Sequence, residues 1–559
     1  MARPVAGMRK QSVVITLPGS PKGAKENLEA VLKLLPHACI QAAGAESRPL
    51  HVGGVKKLEQ EAGVSSEGKA TTGAGGGHHH HGCGHSHGHG GHSGPKAHTK
   101  PEERPQSNDP SAGPSRRYRS SPYPMLPVDD ALKLITEKIP NPIVERVPVD
   151  IKLAGSVIAE DVKAKESVPA FRASIVDGYA VRVPKEAGFK KGVYPVVGIS
   201  HAQASDGAAE LKEGECARIT TGAPLPPGAD AVVMVEDTVL KSMTEDGQEE
   251  KDIEILADGI EIGENVREVG SDVQSGETIL RKGEGITMVG GEFGLLASVG
   301  TKEVAVYRRP VIGVLSTGDE IIPHDREGPL RLGEVRDTNR PTLITAAQSH
   351  RFEVVDLGIA SDKYGISPPG NLEETLRTAL RKCDVIITSG GVSMGELDLL
   401  KPTIERSLGG TIHFGRVNMK PGKPTTFATV PVKDDHGNRV DKVIFSLPGN
   451  PASAVVCFHL FVLPALHAQA GITPVGLPRV KVVLGEDVRM DKGRPEYHRA
   501  LVVTREDGLM YASSTGGQRS SKIGSFKGAN ALLVMPQGEG VLRKGEKVDA
   551  LLMGKLASD

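Results

Sequence analysis

Between residues 309 and 470 the chain alternates strand-like and helix-like patterns, and this alternation constrains the fold more than any other feature of the 559 residues. Segments 311–316, 352–357, 384–389 and 443–446 read as strands, being short apolar runs rich in Val and Ile. Segments 342–348, 372–382, 399–406 and 452–465 read as helices. Strands separated by helical crossovers predict a three-layer α/β domain with a largely parallel sheet. Ligands of such sheets gather at the carboxyl ends of the strands, so the loops at those ends carry the functional question.

Four of these loops have a chemistry of their own. The run Ser389-Gly-Gly-Val-Ser-Met-Gly-Glu-Leu-Asp398 follows a strand. Gly390 and Gly391 let the backbone turn sharply and approach a ligand. Ser393 and Glu396 have capping-box spacing, which would start a helix whose free N–H groups favour an anion. Asp398 would then sit in the first turn, where a carboxylate can hold a cation over a bound phosphate. In Met419-Lys-Pro-Gly-Lys-Pro424, Lys420 and Lys423 flank a Pro-Gly turn stiffened by two prolines, so both ammonium groups can face one side. In Ser446-Leu-Pro-Gly-Asn-Pro451, Asn450 suits an N-cap and Pro451 the first helical position. The fourth loop is Thr317-Gly-Asp-Glu320.

The remaining chain divides by composition. Residues 1–40 hold a strand at 13–15, a turn at 17–23 and a helix at 26–35, too little for an independent domain. Residues 41–121 are rich in Gly, Ser and Pro and read as a disordered linker. Its histidines, His78 to His81 with His85, His87, His89 and His92, can bind zinc, nickel or copper loosely; the plainer reading is a solvated low-complexity tract. Residues 122–308 open with a helix at 128–139 and continue as short β patterns between Gly and Pro, an elongated β-rich region. Residues 309–472 are the α/β domain, and residues 473–559 read as a small β-barrel. The fold class is therefore multidomain α/β plus β.

Lys plus Arg number 68 and Asp plus Glu 69, a balance that argues against nucleic acid or a membrane surface as the main partner. Tryptophan is absent, which disfavours base stacking as an activity. No apolar run is read as long enough to span a bilayer, and the first residues lack the apolar core of a signal peptide. The five cysteines are scattered, without C-x-x-C spacing, so neither a disulfide framework nor a cysteine metal site is expected; Cys383 and Cys457 look like small core residues. A reducing, cytoplasmic setting without membrane insertion follows as the expectation.

Taken in order, the three motifs Ser-Gly-Gly-Val-Ser-Met-Gly-Glu, Met-Lys-Pro-Gly-Lys-Pro and Leu-Pro-Gly-Asn-Pro resemble those of the molybdopterin molybdenumtransferases. The likeness extends to Ser174–Ala180, Thr220–Pro224, Arg267–Asp272, Ser316–Glu320, Arg494–Arg499 and Ser514–Gln518, and covers roughly residues 120–555. The gephyrin variety of the family is the most similar, with residues 1–40 resembling the end of its first domain, a molybdopterin adenylyltransferase. No Gly-Gly-Thr-Gly nucleotide motif precedes residue 12, so adenylyltransferase activity is not carried over.

The resemblance implies insertion of molybdate into adenylylated molybdopterin with release of AMP, assisted by magnesium or zinc. It implies Asp398, Glu320, Asp177 and Asp272 as catalytic carboxylates, and Asp398 and Glu320 as metal ligands, with Asp362 as a further candidate. Substrate would be held by Ser393, Gly390, Gly391, Lys420, Lys423, Ser446, Thr221, Arg267, Arg494, Ser520 and Ser521. Lys522 stands where the family usually has Arg. Asp177, Asp272, Thr221 and Arg267 would reach the cleft from the facing subunit of a homodimer. A scaffold role is the alternative, with Tyr123 and Tyr497 engaging inhibitory receptor loops and the cytoskeleton as a further partner. Taken singly, each acid reads as a turn or cap residue and the two lysines as a solvated pair. The ordered set is what moves them toward function.

Overall fold

The computed structural model describes residues 5–9, 12–16, 123–202, 210–361, 372–392, 399–434 and 436–558. It falls into two compact units, Met1–Lys96 and Ala97–Asp559. In the first, the described residues form one antiparallel hairpin, Val5–Arg9 with Ser12–Thr16, which contains the strand expected at 13–15. The turn at 17–23, the helix at 26–35 and the histidine tract lie outside the described residues.

The second unit is organised around a six-stranded sheet: β1 (Ile312–Thr317), β2 (Val354–Ala360), β3 (Val385–Ser389), β4 (Thr411–Phe414), β5 (Thr426–Lys433) and β6 (Arg439–Leu447). The order is β2-β1-β3-β6-β5-β4. The pairings among β2, β1, β3 and β6 are parallel, and β5 and β4 add an antiparallel edge. β1 and β3 are buried on both faces, which is why they read as unbroken apolar runs. Val314, Ile387 and Phe445 face one core, shared with the helices Val128–Lys138, Asn339–Ser349 and Pro451–Gln469. Leu315, Ile386 and Ile444 face the other, covered by the helix Leu372–Lys382 and by the turns at 400–407. Leu372, Leu376, Ala379 and Leu380 make the buried stripe of that helix, with Glu373 and Glu374 in its first turn and Arg381 and Lys382 in its last.

The helix Pro451–Gln469 corrects one expectation: it is long and apolar enough, at mean hydropathy 1.6, to cross a membrane by length and composition alone. Most of it, 72%, is buried in the core, so here it serves as a central core helix.

Beyond it, β7 (Arg479–Leu484), β8 (Glu496–Thr504), β9 (Met510–Ser514), β10 (Ala531–Met535) and β11 (Lys547–Leu552) close into a five-stranded barrel in the order β9-β7-β11-β10-β8, with β8 returning to β9. Val482, Leu484, Val502, Ala512, Leu533 and Ala550 fill it, and closure removes the exposed edges of the sheet. The β-rich region has two parts. One is a six-stranded sheet around Tyr179, Val181, Cys216 and Ile253. The other pairs Val144–Pro148 with Glu303–Tyr307 over a core of Ile158, Leu280 and Leu296. The helix Val128–Lys138 precedes this region in sequence, yet its Ala131 and Ile135 belong to the α/β core.

Candidate active site

The carboxyl ends of β1, β3 and β6 meet side by side, with Ser316 opposite Ser389 and Ser389 opposite Leu447. Gly390 then turns with φ +94, and its N–H donates to the Leu447 carbonyl at 3.2 Å. A Cβ at Gly390 would stand 2.5 Å from the Thr317 carbonyl oxygen. Gly390→Ala is therefore expected to push the ends of β1 and β3 apart and to cost about 2–3 kcal/mol in urea unfolding. An unchanged midpoint would show that the turn tolerates a side chain.

Two residues that the sequence pattern does not single out hold these ends. Asn339 donates through Nδ2 to Ser389 Oγ at 2.5 Å and to the Gly449 carbonyl at 2.8 Å, while its Oδ1 is buried without a partner. Asp337, 2% exposed, accepts from Ser316 Oγ at 2.9 Å and from Arg340 Nε at 2.8 Å. The Asp-Thr-Asn stretch just before Pro341 is the available signal, since short polar residues followed by proline mark a helix start.

The expected sites divide into those the structure gathers and those it does not. Glu320 is exposed in the turn after β1 and folds back over Gly318. Gly391 lies over Thr317 Oγ1. Ser393, Asp398 and Asp362 lie outside the described residues. Ser446 is fully buried, its hydroxyl without a partner, so the residue expected to donate to substrate is enclosed beneath the sheet end. Asn450 occupies the N-cap position before Pro451 but makes no side-chain capping bond.

The Lys-Pro-Gly-Lys loop departs from expectation most clearly. Its two ammonium groups do not act as a pair. Lys420 Nζ reaches into the barrel, 2.9 Å from Asp491 Oδ2 and 3.2 Å from Glu496 Oε2. Burial works against its charge, but these two carboxylates hold its pKa above the ordinary lysine value. Burial also raises the pKa of Glu496, whose side chain is 5% exposed. Lys420→Met would leave both acids without their cation. Allowing for the partial exposure of Lys420, it should destabilise by about 2–3 kcal/mol, read from denaturant unfolding at pH 7. A loss below 0.5 kcal/mol would mean the pair is solvent-screened.

Lys423 has no carboxylate partner among the described residues. Burial, then Arg416 and Arg494, push its pKa down. Arg494 is braced by Nη1 donation to the Met419 carbonyl at 2.8 Å. Lys423, Arg416 and Arg494 thus form a cluster of cations without a carboxylate partner among the described residues, and Arg416 carries no signal in the sequence. Ser520 and Ser521 lie on a barrel loop tied to the α/β domain, because the Ser520 carbonyl accepts from Ala452 N–H at 3.0 Å. That loop is organised by Arg499, 0% exposed. Its guanidinium donates to Ser525 Oγ at 3.0 Å and to the Arg519 carbonyl at 3.3 Å, and burial lowers its pKa to about 10.

The four residues expected in the β-rich region form their own group. Thr221 N–H donates to Asp177 Oδ1 at 2.8 Å, Arg267 pairs with Asp272, and Arg267 sits opposite Ala173 across a short ladder. Among the described residues their hydrogen bonds and ion pairs reach none of the α/β loops. Tyr497, expected to meet a receptor loop, is 7% exposed and packed in the α/β core, with its pKa pushed up to about 12 by burial. Tyr123 is half-buried and donates to Glu405 at 3.0 Å.

Three family descriptions match in sequence order: the MoeA N-terminal region (domain I and II) over residues 126–300, a probable molybdopterin binding domain over 313–468, and the MoeA C-terminal region (domain IV) over 481–553. A molybdopterin molybdenumtransferase of Haemophilus influenzae is 32% identical over 425 residues, 76% of this chain and 98% of that protein. The chain belongs to the molybdopterin molybdenumtransferase family. It is also similar to a gephyrin of Dictyostelium discoideum, 37% identical over all of this chain and 79% of that protein. The molybdenum cofactor synthesis protein cinnamon of Drosophila melanogaster is 34% identical over 96% of this chain and 76% of its own length. The solved molybdopterin biosynthesis MoeA protein from Pyrococcus horikosii superposes with a TM-score of 0.60 at 28% identity, over 77% of this chain and 100% of that structure. The transferase fold and the strand-end loops described above are thus those of an enzyme family of molybdenum cofactor synthesis.

Proposed function

We propose that this protein inserts molybdate into adenylylated molybdopterin and releases AMP, with the cleft between the strand ends and the barrel loop as its active site. The observation that carries the reading is the group Lys423, Arg416 and Arg494, whose Arg416 and Lys423 precede β5 at the sheet end where Thr426 pairs with Ser446 and Ser446 with Thr388, the same end as the turn at Gly390. Cations without carboxylate partners, at the sheet end that carries a close backbone turn, suit oxyanions, here molybdate and the pyrophosphate link. Lys423 and Arg494 would hold the oxyanion, Ser520 and Ser521 would donate hydroxyls from the barrel side, and Asn339 and Asp337 would fix the strand ends without touching substrate.

The chemistry of the donors favours magnesium over zinc. The exposed carboxylate of Glu320 offers oxygen ligands, as would Asp398, and magnesium takes one or two carboxylates together with phosphate oxygens and waters. When bound, the ion would offset charge on the bridging phosphate oxygens. The domain plan we propose divides the chain after residues 40, 121, 308 and 472.

Asp177, Thr221, Arg267 and Asp272 complete the proposed site from a second copy of the chain in a homodimer. Mixing inactive Asp177→Asn protein with inactive Lys423→Ala protein is then expected to restore about a quarter of wild-type turnover, through the hybrid sites. No recovery from co-refolded mixtures would place the four residues outside the site. The test of the function itself is incubation of purified protein with adenylylated molybdopterin, molybdate and Mg²⁺. Release of AMP together with a molybdenum-loaded pterin is expected, and intact substrate after exhaustive incubation would reject the assignment.

A further inference from the structure

A cavity of about 680 Å³ opens where the β-rich region meets the α/β domain. Its lining includes Lys152, Ser156, Tyr307, Arg309, Arg351 and Glu353. It lies just before β1, whereas the candidate active site lies just after it. Six residues of strand separate the two, roughly 20 Å at ~3.3 Å per residue.

Two guanidinium groups converge on one wall. Arg309 Nη1 donates to the Arg351 carbonyl at 2.9 Å, and Arg351 Nη1 donates to the Ala154 carbonyl at 2.9 Å. At Gly155, which has φ +83, a Cβ would stand 2.7 Å from Arg309 Nη2 and 3.5 Å from Arg351 Cδ, so both side chains cross the same glycine. The neighbouring Arg308 is neutralised by Asp384 at 2.9 Å. Arg309 and Arg351 have no such partner among the described residues, and burial together with Arg351 lowers the pKa of Arg309. An arginine carries five N–H donors, and each of these two makes one bond to a carbonyl.

We propose that Arg309 and Arg351 form a second anion site, separate from the active site, that takes a single phosphate-class oxyanion. Adjacent planar forks with unused donors complement a tetrahedral oxyanion, and such an anion removes the mutual repulsion of the pair. Glu145, Asp150 and Glu353 also line the cavity and oppose longer polyanions. A bound anion would tie the segment at 154–156 to Arg351, and so set how firmly the β-rich region is held on the α/β domain.

Equilibrium dialysis of the full chain with labelled inorganic phosphate tests this. Wild-type protein should bind two phosphates. Lys423→Ala should lose one and Arg351→Asn the other, the latter with at least a tenfold weaker affinity. Arg351 has φ +64, which asparagine tolerates, so this variant should keep its fold. Arg309→Met provides the second reading, with circular dichroism to confirm folding. Adenosine monophosphate and pyrophosphate as competitors separate a phosphoester ligand from free phosphate. A single phosphate class abolished by Lys423→Ala would overturn the proposal, as would unaltered binding in folded Arg351→Asn and Arg309→Met proteins.

Discussion

Lys423→Ala is expected to lower kcat/KM for molybdate by about 10²–10³, the usual consequence of deleting one preorganised donor to a developing or bound oxyanion. The same change should leave the unfolding midpoint equal or raise it slightly. Among the described residues Lys423 has no carboxylate partner, and its charge is disfavoured by burial and by Arg416 and Arg494. Removing it relieves repulsion in the empty protein, so activity and stability should move in opposite directions. Lys420→Met is the contrast: it takes the cation from Asp491 and Glu496, and stability should fall with it. If Lys423→Ala kept its turnover within threefold of wild type, the oxyanion would have to be held elsewhere.

Acidification should be the second large effect. His459 and His498, 9% and 7% exposed, have pKa values lowered by burial to about 3 and about 4. His467 is lowered to about 4, again by burial first and then by His350. In the unfolded chain each histidine takes up a proton near pH 6.5, whereas the folded chain keeps it neutral to far lower pH. The unfolded state therefore binds more protons between about pH 6.5 and 4, and stability falls as the pH drops through that window. At pH 5 the loss is about 2 kcal/mol for each of His459 and His498. Together these two lose about 4 kcal/mol, to which His467 adds, a large part of a typical domain's stability.

Three of these rings are neighbours. His350 lies with its centroid 6.2 Å from His459 and 6.0 Å from His467, so a second proton must enter beside the first. Glu496 acts in the other direction, because burial raises its pKa and its protonation favours the folded state on acidification. Urea unfolding at pH 7 and pH 5 measures the difference, and His459→Leu should remove about 2 kcal/mol of it. Equal midpoints at the two pH values would contradict the assignment of neutral buried histidines.

The sequence exposes those parts of this fold whose burial is uniform. β1 and β3 are covered on both faces and announce themselves as apolar runs. The helix Leu372–Lys382 does so by its stripe. β4 and β5 are not legible in the same way. β5 contains Pro431, which argues against a strand, yet that residue lies past Thr429, the point where β4 begins to pair. The amino half of β6, Arg439 to Lys442, alternates with solvent and carries charges, so only its buried end reads as strand.

The site divides similarly. Glycine turns and strand-end loops are local and can be read from spacing. The partners of Lys420 are not, because Asp491 and Glu496 follow it by some 70 residues in another domain, and nothing in the loop itself reports them. Arg499 closes the polar half of β8, Glu496–Arg499, ahead of its apolar run, and reads there as one more surface charge. Its role emerges only when the loop it holds has folded over it.

The loop and barrel are also joined through main chain: Lys420 N–H donates to the Pro495 carbonyl, Tyr497 N–H donates to the Lys420 carbonyl, and Ala452 N–H donates to the Ser520 carbonyl, at 2.8, 2.8 and 3.0 Å. Every residue supplies a backbone carbonyl and every residue but proline an N–H. The register between the loop, the helix start at Ala452 and the barrel is consequently insensitive to the side chains nearby, and a substitution such as Lys522→Arg should leave these three bonds in place.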